Sequence, residues 1–400
     1  MYDEKKIWKV GESLRTLWEI FYVSLKLGCT SFGGPTAHLG YFQQEYVQKR
    51  KWLSAQDYSQ LVILSQFLPG PASSQVGMGI GLLRGGLLGS VLSFLGFTLP
   101  SVLLLMVFAY FSMYTELKMD WIHGLKLVAV AIVAQAIFDM SKKLLSTKLH
   151  GLIAIMALII VLLWVHPLAQ ITAILLAACI GFQRIKKSNE SNAPLAIHMP
   201  ISKSTGIALL SLFLILLFGL PIMSTLWNHE WVTMLEKFYL AGALVFGGGH
   251  VVLPLLEAQF VQSGQMSTAD FLAGYGMTQA VPGPLFTFAA YIGMAIAGVP
   301  GSIIAILAIF LPAFLLVIGA LPFWFSLSRN IRLKGAMSGA NAAVVGILVA
   351  AFIHPIVTQT IQNGLDIVFV AVFLWCLMRW KMPPYLLVLL GIVVGIVCYT

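Results

Sequence analysis

The chain has 400 residues, of which 59% are hydrophobic and only 10% are charged, and its mean hydropathy is +0.91. This composition excludes a water-soluble protein, because a soluble surface needs many more charged side chains. Stretches such as 86–112 and 299–325 are apolar on every face and long enough to cross roughly 30 Å of hydrocarbon. They do not alternate as the strands of a membrane barrel do. We therefore expect an all-α polytopic membrane protein.

The charges and cysteines exclude further classes of protein. The formal net charge is +9, but the basic residues lie in short loops between apolar segments, as topogenic signals do, so we expect no nucleic-acid binding. No P-loop or zincin motif occurs, and no nucleophile constellation is recognisable. We expect no metal, no cofactor and no enzymatic activity. The four cysteines lack metal-binding spacing: Cys29, Cys179, Cys376 and Cys398.

The sequence contains two related halves, a first repeat at 1–190 and a second repeat at 205–400, joined by a polar linker at 191–204. Two short signatures occur in both repeats, in the same order and register. We call the first signature the FGG break: it is Phe32, Gly33, Gly34 and Pro35, then Phe246, Gly247, Gly248 and Gly249. We call the second the PGP break: it is Pro69, Gly70 and Pro71 after Gln66, then Pro282, Gly283 and Pro284 after Gln279.

The distribution of basic residues predicts that the two repeats have opposite orientations. The loop after the first FGG break is basic at 49–51, whereas its counterpart at 257–270 has no Lys or Arg. Three further pairs of loops also differ in charge between the repeats, as the positive-inside rule requires for inversion. We expect a multi-pass protein of the inner (plasma) membrane with its N-terminus in the cytoplasm and its C-terminus outside.

The breaks predict the course of the chain. Each repeat is expected to begin with two helical hairpins, and in the first repeat these are 16–32 with 36–50 and 57–68 with 71–84. Proline and glycine interrupt helices, and broken backbone at membrane depth is tolerated only inside protein or beside a wet cavity. We expect the breaks to meet near the bilayer midplane, as in secondary transporters built from inverted repeats. Four crossings and an unrepeated helix follow in the first part of the chain: 86–112, 122–139, 149–165, 168–183 and 206–226.

Interrupted helices in this arrangement favour an anionic ligand. Each helix N-terminus carries about half a positive charge and has free amide groups, so four such ends supply roughly two positive charges as an upper figure. Lys26, just before the first FGG break, is a candidate counter-charge or a snorkelling side chain. Arg84 either attracts anions or serves topology. His38 and His250 are candidate ligands or packing residues, and Gln66 and Gln279 are expected to line the cavity.

Three carboxylates are candidates for carrying a proton: Glu45, Glu257 and Asp57. Asp57 and its repeat mate Asp270 each follow a serine by three positions and precede an apolar run, which is also the signature of a helix start. Helix capping therefore competes with proton coupling at these two aspartates. Glu45 and Glu257 remain candidates for a protonatable carboxylate close to the anion path.

Four stretches resemble the chromate ion transporter family in its long, two-domain form: SFGGPTAHLGYF, QFLPGPASSQVGMGIGLLRGG, FGGGHVVLPLLE and MTQAVPGPLFTFAAYIG. The resemblance extends over nearly the whole chain. It implies export of chromate, a tetrahedral dianion, from the cytoplasm by a secondary active transporter driven by the proton gradient. The second repeat departs from the first in having Gly249 where Pro35 stands and in lacking the basic run that follows.

Alternatives remain at this point. Sulfate or another oxyanion has the same shape and charge as chromate, and a passive anion channel is a rival to a coupled carrier. The expected partners are a chromate-like oxyanion, protons and the lipid bilayer, with no nucleic acid, and a homodimer is compatible with the sequence.

Overall fold

The computed structural model describes residues 14–114, 121–164, 166–185, 201–227 and 229–399. Every regular element in these ranges is helical. The linker at 191–204 falls largely on residues 186–200, which lie outside the described part of the chain. The helices are α1 Leu14–Thr30, α2 Gly34–Phe42, α3 Ala55–Phe67, α4 Ala72–Tyr114, α5 Trp121–Leu144, α6 Lys148–Leu163, α7 Pro167–Arg184, α8 Lys203–Trp227, α9 Glu230–Ala243, α10 Val252–Phe260, α11 Thr268–Thr278, α12 Phe288–Ala320, α13 Trp324–Arg329, α14 Ile331–Ala351, α15 Thr358–Thr360, α16 Gly364–Arg379 and α17 Pro384–Cys398.

The first FGG break is the apex of a hairpin. α1 ends just before it, and α2 starts at it and continues as a π-helical segment, Gln43–Lys49. Residues at equal distances from the apex touch: the Ser24 Oγ lies 3.2 Å from the Tyr46 hydroxyl, and Arg50 donates to Glu19 over 3.0 Å. The two arms are therefore antiparallel, as the sequence predicts.

The second hairpin of the first repeat has the PGP break at its apex, and the chain then reverses again. α4 contains non-helical backbone at Gly85 and Gly86, where Gly86 has φ 64° and ψ −157°. Its two arms, 72–84 and 87–114, pack against each other, because Ser93 Oγ donates to the Gly77 carbonyl over 2.8 Å. This positive φ is a backbone conformation that glycine adopts readily and other residues do not. Gly86 therefore allows the chain to reverse sharply at this point.

The second repeat folds in the same way. α12 reverses at Ala297 and Gly298, where Gly298 has φ 64° and ψ −154°, nearly the same angles as Gly86 in α4. The rings of Phe238 and Phe260 pack 4.5 Å apart across the hairpin that contains the second FGG break.

The helices that follow the hairpins pack across the repeat boundary. α5 of the first repeat packs against α16 and α17 of the second, and α14 of the second repeat packs against α6 and α7 of the first. The unrepeated helix α8 packs on α9 and α12. The two repeats are therefore interleaved, because helices of each repeat pack against helices of the other.

Six segments of the described residues are long and apolar enough to cross a membrane. They are Ala72–Ser112, Trp121–Leu144, Pro167–Arg184, Lys203–Trp227, Leu285–Phe323 and Ile331–Thr360. The first and fifth contain the reversals of α4 and α12. The chain is a multi-pass, all-α membrane protein.

Candidate oxyanion site at the helix breaks

Two backbone hydrogen bonds join the breaks of the two repeats. The Gly70 amide in the first PGP break donates to the Val245 carbonyl over 2.7 Å, just before the second FGG break. The Gly283 amide in the second PGP break donates to the Ser31 carbonyl over 2.9 Å, just before the first FGG break. Each PGP break is therefore bound to the other repeat's FGG break, and all four breaks meet in one region of the protein.

Close approaches at the breaks also connect residues of one repeat with residues of the other. A Cβ atom built on Gly70 would lie 3.0 Å from the Cβ of Ala313 in α12. A Cβ on Gly283 would lie 2.8 Å from the Oγ of Ser101 in α4. A Cβ on Gly249 would lie 3.3 Å from Pro35 Cγ, so the fourth residues of the two FGG breaks are neighbours.

Four helical segments begin at the breaks and direct their N-termini into this region. They start at Gly34, Ala72, Gly249 and Leu285. Within the described chain, the N-cap residues Gly33, Gly248 and Pro284 make no side-chain capping hydrogen bond. A Cβ on Gly34 or Gly248 would meet no described atom within 4 Å, so the FGG breaks border open space. Amide groups without a side-chain cap at a helix N-terminus can donate hydrogen bonds, and the helix dipole makes their surroundings positive.

The two candidate histidines are both near the breaks but have different surroundings. His38 is fully buried, with its Nδ1 atom 3.3 Å from the Ser73 Oγ and its ring edge-on to Phe97. His250 is partly buried, with its Nδ1 atom 2.8 Å from the Tyr275 hydroxyl. Both rings are therefore held by a hydroxyl group of a neighbouring helix.

The aromatic and amide residues of the breaks are not equivalent in the two repeats. Phe32 packs against Tyr385 of α17 with ring centroids 5.1 Å apart, and Phe246 is partly buried. Gln66 is exposed, whereas Gln279 is buried, and its Nε2 atom has no hydrogen-bond partner among the described residues. Of the two amides, only Gln279 has a buried donor at a break.

Lys26 does not reach the breaks with a free charge. Its Nζ atom lies 3.3 Å from Glu45 Oε2, and the Lys26 side chain is 48% exposed whereas that of Glu45 is 7% exposed. Arg50 Nε also donates to Glu45, over 2.9 Å, and Lys49 lies 3.8 Å from it. Glu45 is thus an ionised partner of three basic side chains near the open end of the first hairpin.

Arg84 belongs to the same end of the molecule. Its Nη2 atom donates to Glu19 Oε2 over 2.9 Å, and its guanidinium group lies over the Trp52 ring, 4.2 Å from the centroid. Arg50 also binds Glu19, so two carboxylates and several basic side chains form one network. We call this network the basic cluster: Glu19, Lys26, Glu45, Lys49, Arg50 and Arg84.

The other candidate carboxylates have contrasting environments. Glu257 is 3% exposed and accepts a hydrogen bond from Gln262 Nε2 over 2.9 Å, and it has no ion-pair partner within the described ranges. Asp57 and Asp270 lie in the first turns of α3 and α11, whose N-caps Ser54 and Ser267 accept their backbone amides. The predicted helix starts at both aspartates are confirmed.

Sequence reasoning missed three hydroxyl groups close to the breaks. Ser31, Ser74 and Thr98 are buried, and none of their hydroxyl oxygens has a hydrogen-bond partner in the described part of the protein. A serine or threonine in an apolar helix is easily dismissed as packing. A comparison of the two repeats could have identified Ser31 and Thr98, because the second repeat has Val245 and Phe310 at the aligned positions.

A second difference between the repeats lies deeper in the hairpins. The Oγ of Ser24 donates to Ser93 Oγ over 3.1 Å and contacts the hydroxyl of Tyr46. In the second repeat the rings of Phe238 and Phe260 occupy the corresponding part of the hairpin. Hydroxyl contacts in the first repeat are thus replaced by an apolar ring pair.

Several curated proteins are similar to this chain over most of its length. An uncharacterised transporter of Methanocaldococcus jannaschii is 28% identical, covering 94% of this chain and 93% of the relative. A probable chromate transport protein of Synechococcus elongatus is 26% identical, covering 97% and 96%. The chromate transport protein of Cupriavidus metallidurans is also 26% identical, covering 84% and 82%. No solved structure shows a significant match.

The family model described as chromate transporter matches the chain twice, at residues 18–182 and 232–396. Each match includes one FGG break and one PGP break, so the two matched units are the two repeats. Together they cover most of the chain. The protein therefore belongs to the chromate transporter family.

Proposed function

We propose that the protein is a secondary active transporter that exports chromate from the cytoplasm in exchange for protons, by alternating access. The observation that carries this proposal is the convergence of four helix N-termini at the breaks, linked by the bonds from Gly70 to Val245 and from Gly283 to Ser31. Relatives named as chromate transport proteins support the choice of chromate.

The electrostatics of the breaks suit a dianion. Placing one charge at the bilayer centre costs about 2.5–3.5 kcal/mol on insertion scales, and a dianion costs more. Four helix N-termini offset this with roughly two positive charges, without a basic side chain that would hold the ion too tightly for release. The basic cluster at the open end of the first hairpin is placed to attract the anion before it enters.

We assign proton coupling to Glu257. A buried carboxylate with one amide donor and no ion-pair partner among the described residues is poorly stabilised as an anion, so it binds a proton readily. Glu45 is held in its ionised form by Lys26, Lys49 and Arg50. Asp57 is engaged at the start of α3.

We infer that the two repeats are inverted in the membrane. Two contacts support placing the basic loops of both repeats at the same end of the protein. Trp324 donates to Gln60 near the start of α3. The Arg332 guanidinium lies 5.7 Å from the Phe182 ring near the end of α7. Lys237 bonds instead to residues of the loop after α10. By the positive-inside rule, we expect the end with the basic loops to lie in the cytoplasm. This supports a cytoplasmic N-terminus, an external C-terminus and residence in the plasma membrane.

Purified protein in proteoliposomes tests the transport proposal. We expect an imposed pH gradient to move chromate uphill, against its own gradient, and an ionophore that removes the pH gradient to abolish this movement. A flux that only runs downhill and ignores pH would identify a passive channel. Competition by sulfate in the same vesicles measures the preference between the two oxyanions.

A further inference from the structure

Three hydroxyl groups near the breaks have no hydrogen-bond partner among the described residues. Ser31, Ser74 and Thr98 are 0%, 3% and 2% exposed, and their hydroxyl oxygens are buried without a hydrogen bond to any described residue. Buried hydroxyl groups in proteins nearly always have a partner, and those without one call for a specific explanation.

Ser31 and Thr98 are both connected to Gly283 of the second PGP break, and Ser74 follows the first PGP break by three residues. The Ser31 carbonyl accepts the Gly283 amide, and a Cβ on Gly283 would lie 2.8 Å from Ser101 Oγ. Ser101 in turn donates to the carbonyl of Thr98, one turn earlier on α4. Ser74 is in the first turn of α4, next to Ser73, which contacts His38.

At the matching positions the second repeat has Val245, Phe310 and Thr287, so it keeps only one of the three hydroxyl groups. The residue that precedes its FGG break, and whose carbonyl accepts Gly70, is Val245. Ala313 is the counterpart of Ser101: Ala313 lies next to Gly70, and Ser101 lies next to Gly283. Phe310 is the counterpart of Thr98, because each lies three positions before that residue. Thr287, in the first turn after the second PGP break, donates its hydroxyl to the Pro284 carbonyl.

We propose that the hydroxyl groups of Ser31, Ser74 and Thr98 bind the oxyanion, so that the substrate lies on the side of the first repeat. The inference deepens the oxyanion transport proposed above and rests on it. The three hydroxyl groups add hydrogen bonds to those of the uncapped helix N-termini. The matching residues of the second repeat are Val245 and Phe310, which are apolar, and Thr287, whose hydroxyl already donates to the Pro284 carbonyl.

Hydroxyl donors suit this substrate class. A tetrahedral oxyanion offers several acceptor oxygens, and hydrogen bonds to an ionised acceptor are about twice as strong as those between neutral groups. Neutral donors stabilise the ion without forming a buried ion pair, so release toward either side of the membrane stays accessible. The pairing of Gly283 with Ser31 fixes the position of the site at the junction of the repeats.

Equilibrium binding of chromate to the purified full-length protein tests the assignment. We expect Ser31→Ala, Ser74→Ala and Thr98→Val each to raise the Kd about tenfold, which corresponds to about 1.4 kcal/mol for one lost hydrogen bond. Thr98→Ser and Ser31→Thr keep the hydroxyl and should change the Kd by less than about threefold. These two variants separate loss of the donor from a change in packing.

The matched control is Ser302→Ala. Ser302 is also fully buried, with a hydroxyl that has no partner among the described residues, but it lies in the second repeat. It is separated from Ala313 by roughly 16 Å of helix. We expect this variant to bind chromate like the wild type, and thermal melting shows which variants keep the fold.

The outcomes separate the two proposals. Wild-type protein that binds neither chromate nor sulfate would contradict the transport function itself. Wild-type binding with unchanged affinity in the alanine and valine variants, or with an equal loss in Ser302→Ala, would overturn the hydroxyl site and leave the transport function standing. Should an alanine or valine variant fail to fold, the hydroxyl-retaining variants decide, because weak binding in both of them contradicts the site.

Discussion

The backbone amide of Gly283 donates a hydrogen bond to the carbonyl of Ser31, across the boundary between the two repeats. Gly70 and Val245 form the matching bond in the other direction. Because each bond joins a PGP break to the FGG break of the other repeat, the two bonds couple the hairpins of one repeat to those of the other. This coupling is what a carrier needs if it is to close one side while opening the other.

Replacing the glycine of either PGP break should stop transport. Gly70 and Gly283 have φ values of 118° and 103°, which residues with a side chain rarely adopt, and a Cβ on Gly283 would also clash with Ser101 Oγ at 2.8 Å. We expect Gly283→Val and Gly70→Val to lose more than about 90% of chromate transport, since strain and overpacking together cost about 2–5 kcal/mol.

The control for the glycine variants is Gly219→Val in α8. A Cβ there would meet no described atom within 4 Å, so the variant should insert and the protein should transport normally. Normal transport by both Gly70→Val and Gly283→Val would show that the breaks are not the site.

Neutralising Glu257 should uncouple transport from the pH gradient. With glutamine in its place no proton can be bound at the buried position near Gln262, so we expect Glu257→Gln to keep downhill chromate flux and lose uphill movement. Vesicle assays with and without a pH gradient measure both quantities. Glu230→Gln, an exposed glutamate in the first turn of α9, is the control and should remain coupled. Coupled transport by Glu257→Gln would remove this residue from the proton path.

Lys26→Ala should weaken chromate binding more than Lys126→Ala, the control, because Lys126 is a partly buried residue of α5 outside the basic cluster. Lys26 belongs to the basic cluster, and its loss lowers the positive charge at the open end of the first hairpin. We expect a threefold to fivefold rise in the apparent KM for chromate at low salt, roughly 0.7–1 kcal/mol for a half-exposed charge, and a smaller effect at high salt. Equal KM values for the two variants would leave Lys26 with only its ion pair to Glu45.

Single cysteines at Lys49 and Gln262 should be labelled from opposite sides of the membrane. The native cysteines must first be replaced, because Cys29, Cys179 and Cys398 are exposed. A membrane-impermeant maleimide applied to intact cells should label position 262 and leave position 49 unlabelled. Labelling of both positions from the same side would contradict the inverted topology.

Much of the fold was predictable because it depends on local signals. The hairpins, the reversal at 85–86 and the starts of α3 and α11 follow from proline, glycine and serine at fixed spacings, and the structure has all of them. The pairing of Lys26 with Glu45 and Arg50 could not be read from the sequence, since residues in different arms of a hairpin have no fixed spacing. Contacts between repeats, such as Gly283 with Ser31, depend on the packing of the whole chain.

The contrast between the two FGG hairpins has a consequence for the energetics of the transport cycle. Parting Ser24 from Tyr46 exchanges hydroxyl contacts for contacts with water at little net cost. Separating Phe238 from Phe260 exposes two aromatic rings to water, which costs free energy because apolar surface is no longer buried. In the carrier proposed above, this contrast favours opening of the first-repeat hairpin over opening of the second.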